Sequence, residues 1–151
     1  MSIQKNSNLV PAVCNILFSA LGDIDTVEND PDRFHKTVSF QTGKAWQEIY
    51  FTPGTAEFNE KPKITDAGEL VEQSLKFIFP GEDEANLLAL DKIIGRPVLL
   101  KICFSTSLTK LIGNPDNGAK LVKTYQVGAK STGSQFEFTC STTERSCWLN
   151  P

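Results

Sequence analysis

Apolar and polar residues alternate with a period of two along much of the chain. The alternation is clearest over 69–79, where Val71, Leu75, Phe77 and Phe79 share one face and Glu72, Ser74 and Lys76 the other. Successive side chains of a strand point to opposite sides, so this pattern predicts a core strand, ended by Pro80-Gly81. Residues 98–104 repeat it with Val98, Leu100, Ile102 and Phe104 inward; 105–107 turn the chain and 108–112 pair back as a hairpin. Leu121, Tyr125 and Val127 mark a further strand, and Phe136, Phe138 and Cys140 the last, alternating with Glu137, Thr139 and Ser141. Val38 and Phe40 mark a short strand over 37–41. Over Trp46–Phe51, Ile49 and Phe51 lie on one face and Trp46 and Tyr50 on the other, so cover is expected on both sides. Thr52-Pro53-Gly54-Thr55 reads as a type II turn, with Pro setting φ and Gly taking φ > 0. Ala56–Asn59 returns as a short strand.

Other stretches are less regular. Residues 9–24 fit both a helix (Val13, Ile16, Leu17, Ala20, Leu21, Ile24) and a strand (Cys14, Ile16, Phe18, Ala20); the β-rich remainder favours a strand. Residues 23–34 read as an acidic loop, and 59–68 (NEKPKITDAG) as an exposed loop or hairpin tip. Residues 82–94 predict a helix: acids occupy its first turn, Leu87, Leu90 and Ile94 form a stripe, Gly95 suits the C′ position, and Pro97 prevents continuation. Residues 113–118 are a dense turn cluster and 128–134 a flexible turn. Trp148 is placed to cap the core or to dock on a neighbour. The expected fold is mainly β: an antiparallel sandwich or barrel of about eight strands, with one helix (about 82–94) between two β halves. Residues 1–8 form a polar arm and 9–151 a single domain, as 151 residues allow.

Composition narrows the function. The net charge of −3 argues against a general binder of phosphate backbones. The four cysteines (Cys14, Cys103, Cys140, Cys147) have no CxxC spacing and His35 is the lone histidine, so no regular zinc site is spelled out. Reduced thiols in a cytosolic product are expected, although Cys140 and Cys147 are near enough in sequence to meet. Leu9–Gly22 resembles a signal-peptide core only faintly, with Lys5 before it and Pro11 interrupting it. No apolar run is long enough to span a bilayer. Asp23, Asp25, Glu28, Asp30 and Asp32 lack EF-hand spacing. No nucleophile elbow, dinucleotide fingerprint or phosphate loop is present. Neither catalysis nor a metal or other cofactor is expected.

One resemblance goes further. The phrases WQEIYFTPGTAEF (46–58), EQSLKFIFPGED (72–83), GRPVLL (95–100), TKLIGNPDNG (109–118) and FEFTCS (136–141) resemble, in order and pattern, small virion structural proteins of tailed bacteriophages and prophages. The resemblance is to tail-tube-like and tail-completion or neck-like β-barrels, and it covers about two-thirds of the chain. It implies a subunit that forms rings or a tube in the tail or neck around a DNA channel, without an active site. The implied partners are further copies of itself, other tail or neck proteins, and DNA in transient, non-specific passage, with no membrane. The implied location is the virion, after synthesis in the host bacterial cytoplasm. Trp46, Tyr50, Glu60, Lys61 and Lys63 are the expected subunit-interface residues, and a charge at Trp46 or Tyr50 is expected to harm assembly more than folding. Two other readings stand beside this one: a β-barrel module binding a small ligand or glycan, and a capsid-decorating β-sandwich.

Overall fold

A computed structural model of the chain describes residues 12–32, 34–52, 54–79, 88, 90–116, 118–127, 132–142 and 147–150, with only the backbone course of 123–127 and 132–134. The strands are β1 (Val13–Ala20), β2 (Ile24–Asn29), β3 (His35–Phe40), β4 (Gln47–Ile49), β5 (Glu57–Thr65), β6 (Gly68–Phe79), β7 (Val98–Phe104), β8 (Thr109–Ile112), β9 (Lys120–Val127), β10 (Thr132–Thr142) and β11 (Cys147–Leu149). They build a seven-stranded sheet, β2-β3-β11-β8-β7-β1-β4, and a four-stranded sheet, β5-β6-β10-β9. Every pairing is antiparallel except that of β11 with β3.

The sheets pack face to face. Phe77 and Phe79 of β6 and Phe136 and Phe138 of β10 meet Ile16 and Phe18 of β1 and Leu100 and Ile102 of β7 in one core. Phe77 lies at its centre, stacked on Phe136 with ring centroids 5.6 Å apart and on Phe138 at 6.0 Å. Such aromatic pairs add about 0.5–1.5 kcal/mol each beyond the area they bury. A sandwich follows from period-two alternation, because each sheet has one apolar face to hide.

A second, smaller core lies on the opposite face of the seven-stranded sheet. Leu99, Leu111 and Leu149 are buried there, with Leu21, Ile24, Val27, Val38 and Trp46 packed against them. β7 is therefore buried on both faces: Val98, Leu100 and Ile102 serve the first core and Leu99 the second. Its apolar run Val98-Leu99-Leu100 is the composition such a strand requires.

The expected sandwich is present, but several finer expectations are corrected. Eleven strands are described rather than about eight. The stretch read as an acidic loop, 23–34, contains β2, which pairs with β3. Of the two readings of 59–68, the hairpin tip holds and the loop does not: β5 runs to Thr65, and its hairpin with β6 closes through Asp66 and Ala67. Pro62 sits within β5, on the edge of its sheet, where a missing N–H is tolerated. The strand expected over Trp46–Phe51 shrinks to β4, at the sheet's edge. Ile49 and Phe51 face the first core and Trp46 the second, while Tyr50 stays exposed. Trp148, expected to cap the core or to dock on a neighbour, lies half-buried in β11, with Lys110 Nζ 4.8 Å from its ring centre.

The helix expected over 82–94 is not among the described elements; 82–87 and 89 lie outside the described residues. Leu88, Leu90 and Asp91 take a single helical turn, with the Lys92 N–H donating to the Leu88 carbonyl at 3.2 Å. Gly95 adopts φ +77, but it closes no helix among the described residues. The tertiary pairing of Ile94 with Leu121, and of the Gly95 N–H with the Leu121 carbonyl at 3.3 Å, draws the chain toward β9. In the turn at 52–55, Gly54 has φ +81 and the Thr55 N–H donates to the Thr52 carbonyl at 3.2 Å, as a type II turn demands.

Candidate functional site

The five expected interface residues fall into two places. Trp46 precedes β4, is half-buried, and meets Phe40 edge-on with ring centroids 5.3 Å apart. It is thus engaged in the second core of its own chain. Tyr50, just beyond β4, is 65% exposed. It lines a small notch of about 70 Å³ with Gln47, Glu48, Phe18, Ile49, Phe79 and Leu90.

Glu60, Lys61 and Lys63 lie along β5. Glu60 is half-buried, and its Oε2 accepts from Gln73 Nε2 at 2.9 Å, which ties it to β6. Gln73 Oε1 is buried, with no hydrogen-bond partner among the described residues. Lys61 and Lys63 are exposed, and Lys63 Nζ approaches Glu72 Oε1 at 3.9 Å. Both of those side chains are about half exposed, so the pair contributes little to stability.

The residues around Lys63 form an arm. All side chains from Lys61 to Glu69 are exposed, and β10 accompanies β6 only as far as the Val71–Thr142 pair. Beyond that point, among the described residues, β5 and β6 pair only with each other, through Lys63–Leu70, Ile64–Glu69 and Thr65–Gly68. Ile64, near the tip, is 88% exposed. Sequence reading passed over Ile64 because an isolated apolar residue among charges carries no periodic signal.

The outer face of the four-stranded sheet is polar. Cross-strand rows run Lys61–Glu72–Ser141, Asn59–Ser74–Thr139–Lys120 and Glu57–Lys76–Glu137–Val122. Opposite charges thus stand side by side, an arrangement that stabilises a sheet modestly. Asn59, Ser74, Thr139 and Lys120 help to line a groove of about 790 Å³ on this face, with Asp116 and Gly118 beside it.

His35 stands near Asp32, with Nδ1 2.7 Å from Oδ2. The other Asp32 oxygen accepts from the Phe34 N–H at 2.9 Å and the His35 N–H at 3.1 Å. The Phe34 amide, then the His35 side chain, hold the Asp32 carboxyl below its ordinary value. These bonds build the turn into β3, and His35 also lines a hollow of about 340 Å³ with Cys103, Thr109 and Trp148. The described residues contain no group of three or more His, Cys, Asp or Glu side chains able to hold a metal ion, and no helix long and apolar enough to cross a membrane. All four cysteines are free thiols. Cys140 is buried in the first core, and that burial pushes its thiol pKa up. Comparisons with protein-family models, curated proteins and solved structures find no match to this chain.

Proposed function

We propose that this chain is an assembly subunit without catalytic activity: a virion structural protein of a tailed phage or prophage that forms rings or a tube in the tail or neck around a DNA channel. Its partners on this reading are copies of itself and neighbouring tail or neck proteins, and DNA passes without specific binding. The observation that carries the reading is the β5–β6 arm, whose tip holds Ile64 at 88% exposure outside both cores. An apolar side chain held out on a paired hairpin gains nothing for its own fold and favours burial against another chain.

Exposed Tyr50, beside the edge strand β4, supports the same reading. Open edges are templates for pairing and are blunted where pairing is unwanted. β5 carries Pro62, Lys61 and Lys63, and β2 carries a bulge with exposed Asp25 and Glu28. β4 is blunted too, being three residues long with exposed Glu48, and its outward feature is the exposed Tyr50 that adjoins it. Contacts that join one surface to a different surface of the next copy close into rings when the rotation allows. Light scattering on a sizing column, with electron microscopy of the purified protein, tests the proposal. Rings or tubes are expected, reduced to monomers by Ile64→Asp; a wild-type protein that stays monomeric at high concentration overturns it.

A second reading, a module binding a small ligand or glycan, draws on the polar groove of about 790 Å³. Its hydroxyl, amide and charged groups match the donors and acceptors of a sugar, although no aromatic side chain is among its lining residues. A monomer that binds glycans on an array would favour it over assembly.

A further inference from the structure

We propose that Cys14 and Cys103 form a cross-strand dithiol site whose substrate is a low-molecular-weight disulfide, and that the site closes into an internal disulfide tying β1 to β7. The pairing of β1 with β7 shifts between Val13 and Asn15: Val13 stands opposite Phe104, and Asn15 opposite Cys103. Cys14 is the extra residue of this bulge. Val13 and Ile16 both pack on the first core, so the two residues between them, Cys14 and Asn15, take the other face, and both are exposed. Cys103 shares that face, because its neighbours Ile102 and Phe104 turn to the first core. A bulge sets two residues against one, here Cys14 and Asn15 against Cys103. Asn15 stands directly opposite Cys103 and Cys14 is its neighbour in the bulge on the same face, so closure requires the Cys14 and Cys103 Cα atoms to come within the roughly 4.4–6.8 Å that a disulfide bridges.

Both thiols are reachable and weakly held. Cys14 is exposed, and Cys103 lines an open hollow of about 340 Å³ with Lys101, Thr109 and Leu149. Cys14 Sγ contacts the Ala12 carbonyl at 3.8 Å, and Cys103 Sγ accepts from Thr109 Oγ1 at 3.8 Å. Sulfur contacts of this kind are weak, and rotation about χ1 releases both. Cys140 faces the first core, and Cys147 lies two strands from β7, on β11 opposite Leu111 of β8.

The chemistry balances by exchange. The Cys14 thiolate attacks one sulfur of the disulfide reagent and expels the first thiolate. The Cys103 thiolate then attacks the Cys14 sulfur and expels the second. Two protein thiols are oxidised to one S–S bond, the reagent is reduced to two thiols, and the two protons pass to them. The inference is independent of the assembly reading, since the site lies within one chain.

The test treats the reduced, full-length protein with oxidised glutathione in mildly alkaline buffer and follows intact mass and a non-reducing peptide map. The expected product is lighter by two hydrogen atoms, with the peptides of Cys14 and Cys103 joined. Cys14→Ser and Cys103→Ser, each with an unchanged circular dichroism spectrum, are expected to lose that link and instead to retain glutathione on the remaining thiol. A stable glutathione adduct on wild-type Cys14, or a link joining two chains, overturns the proposal.

Discussion

Gly118 stands so close to Pro97 that a Cβ built on it would lie 2.7 Å from the Pro97 Cβ and 3.0 Å from the Val98 nitrogen. The contact sits where the chain enters both β7 and β9, beside the paired bonds Val98 N–H to Ala119 carbonyl (2.9 Å) and Ala119 N–H to Val98 carbonyl (2.8 Å). Gly118→Ala has to push this bridge apart. Overpacking of this kind costs about 1–3 kcal/mol. Urea denaturation is expected to show a lower midpoint with an unchanged slope, and an unchanged midpoint would show that the bridge gives way freely.

Leu99 is fully buried on the opposite face of β7 from the main core. Leu99→Ala removes the centre of the second core and is expected to cost about 2–5 kcal/mol, as for a leucine in a core that cannot collapse. A loss below about 1 kcal/mol, measured by denaturation, would mean that this face contributes little to the fold.

Trp46 and Tyr50, paired as interface residues by their spacing, separate on substitution. Trp46→Asp breaks the edge-on contact with Phe40 and puts a charge against the second core, so a stability loss of about 2–3 kcal/mol is expected, somewhat less than for a fully buried Trp. Tyr50→Asp changes an exposed residue and is expected to stay within about 0.5 kcal/mol of wild type. Under the assembly proposal it lowers the oligomer mass on a sizing column while the melting temperature holds.

The turn into β3 carries an acid-sensitive contribution. The Asp32 carboxyl has a folded-state pKa below its ordinary 3.8, chiefly because of the Phe34 amide. The folded state therefore releases that proton more readily than the unfolded state. Its contribution is complete above the unfolded value and is lost as pH falls through the folded one. Carbon-detected titration of the side chain is expected to give a midpoint below 3.8, and the stability gap between wild type and Asp32→Asn is expected to narrow as pH drops below that value. A midpoint at or above 3.8 would refute the turn's role.

The sandwich class and much of its main core were legible in the chain. Val71, Leu75, Phe77 and Phe79 share one strand face, interrupted only by Gln73, and all four are buried. Phe136, Phe138 and Cys140 alternate likewise and meet them from the neighbouring strand. The tip residue Ile64 and the Cys14–Cys103 pair were not legible. Exposure depends on which strands end early, and opposition depends on register.

Two bulges explain the most ambiguous stretches. Val13 and Ile16 are three residues apart and serve one core, because β1 bulges between Val13 and Asn15. Ile24 and Val27, also three apart, both pack on the second core, because β2 shifts register between Ile24 and Thr26. A spacing of three is a helical signal in an isolated segment and a bulge in a paired one. The amino-acid sequence by itself determined that this protein is built of strands with one apolar face, since side-chain alternation is a local property of each segment. Tertiary structure alone decided the register of β1 and β2, the parallel docking of three-residue β11 on β3, and the second core behind β7. Those features depend on partners distant in the chain, and no local pattern encodes a partner.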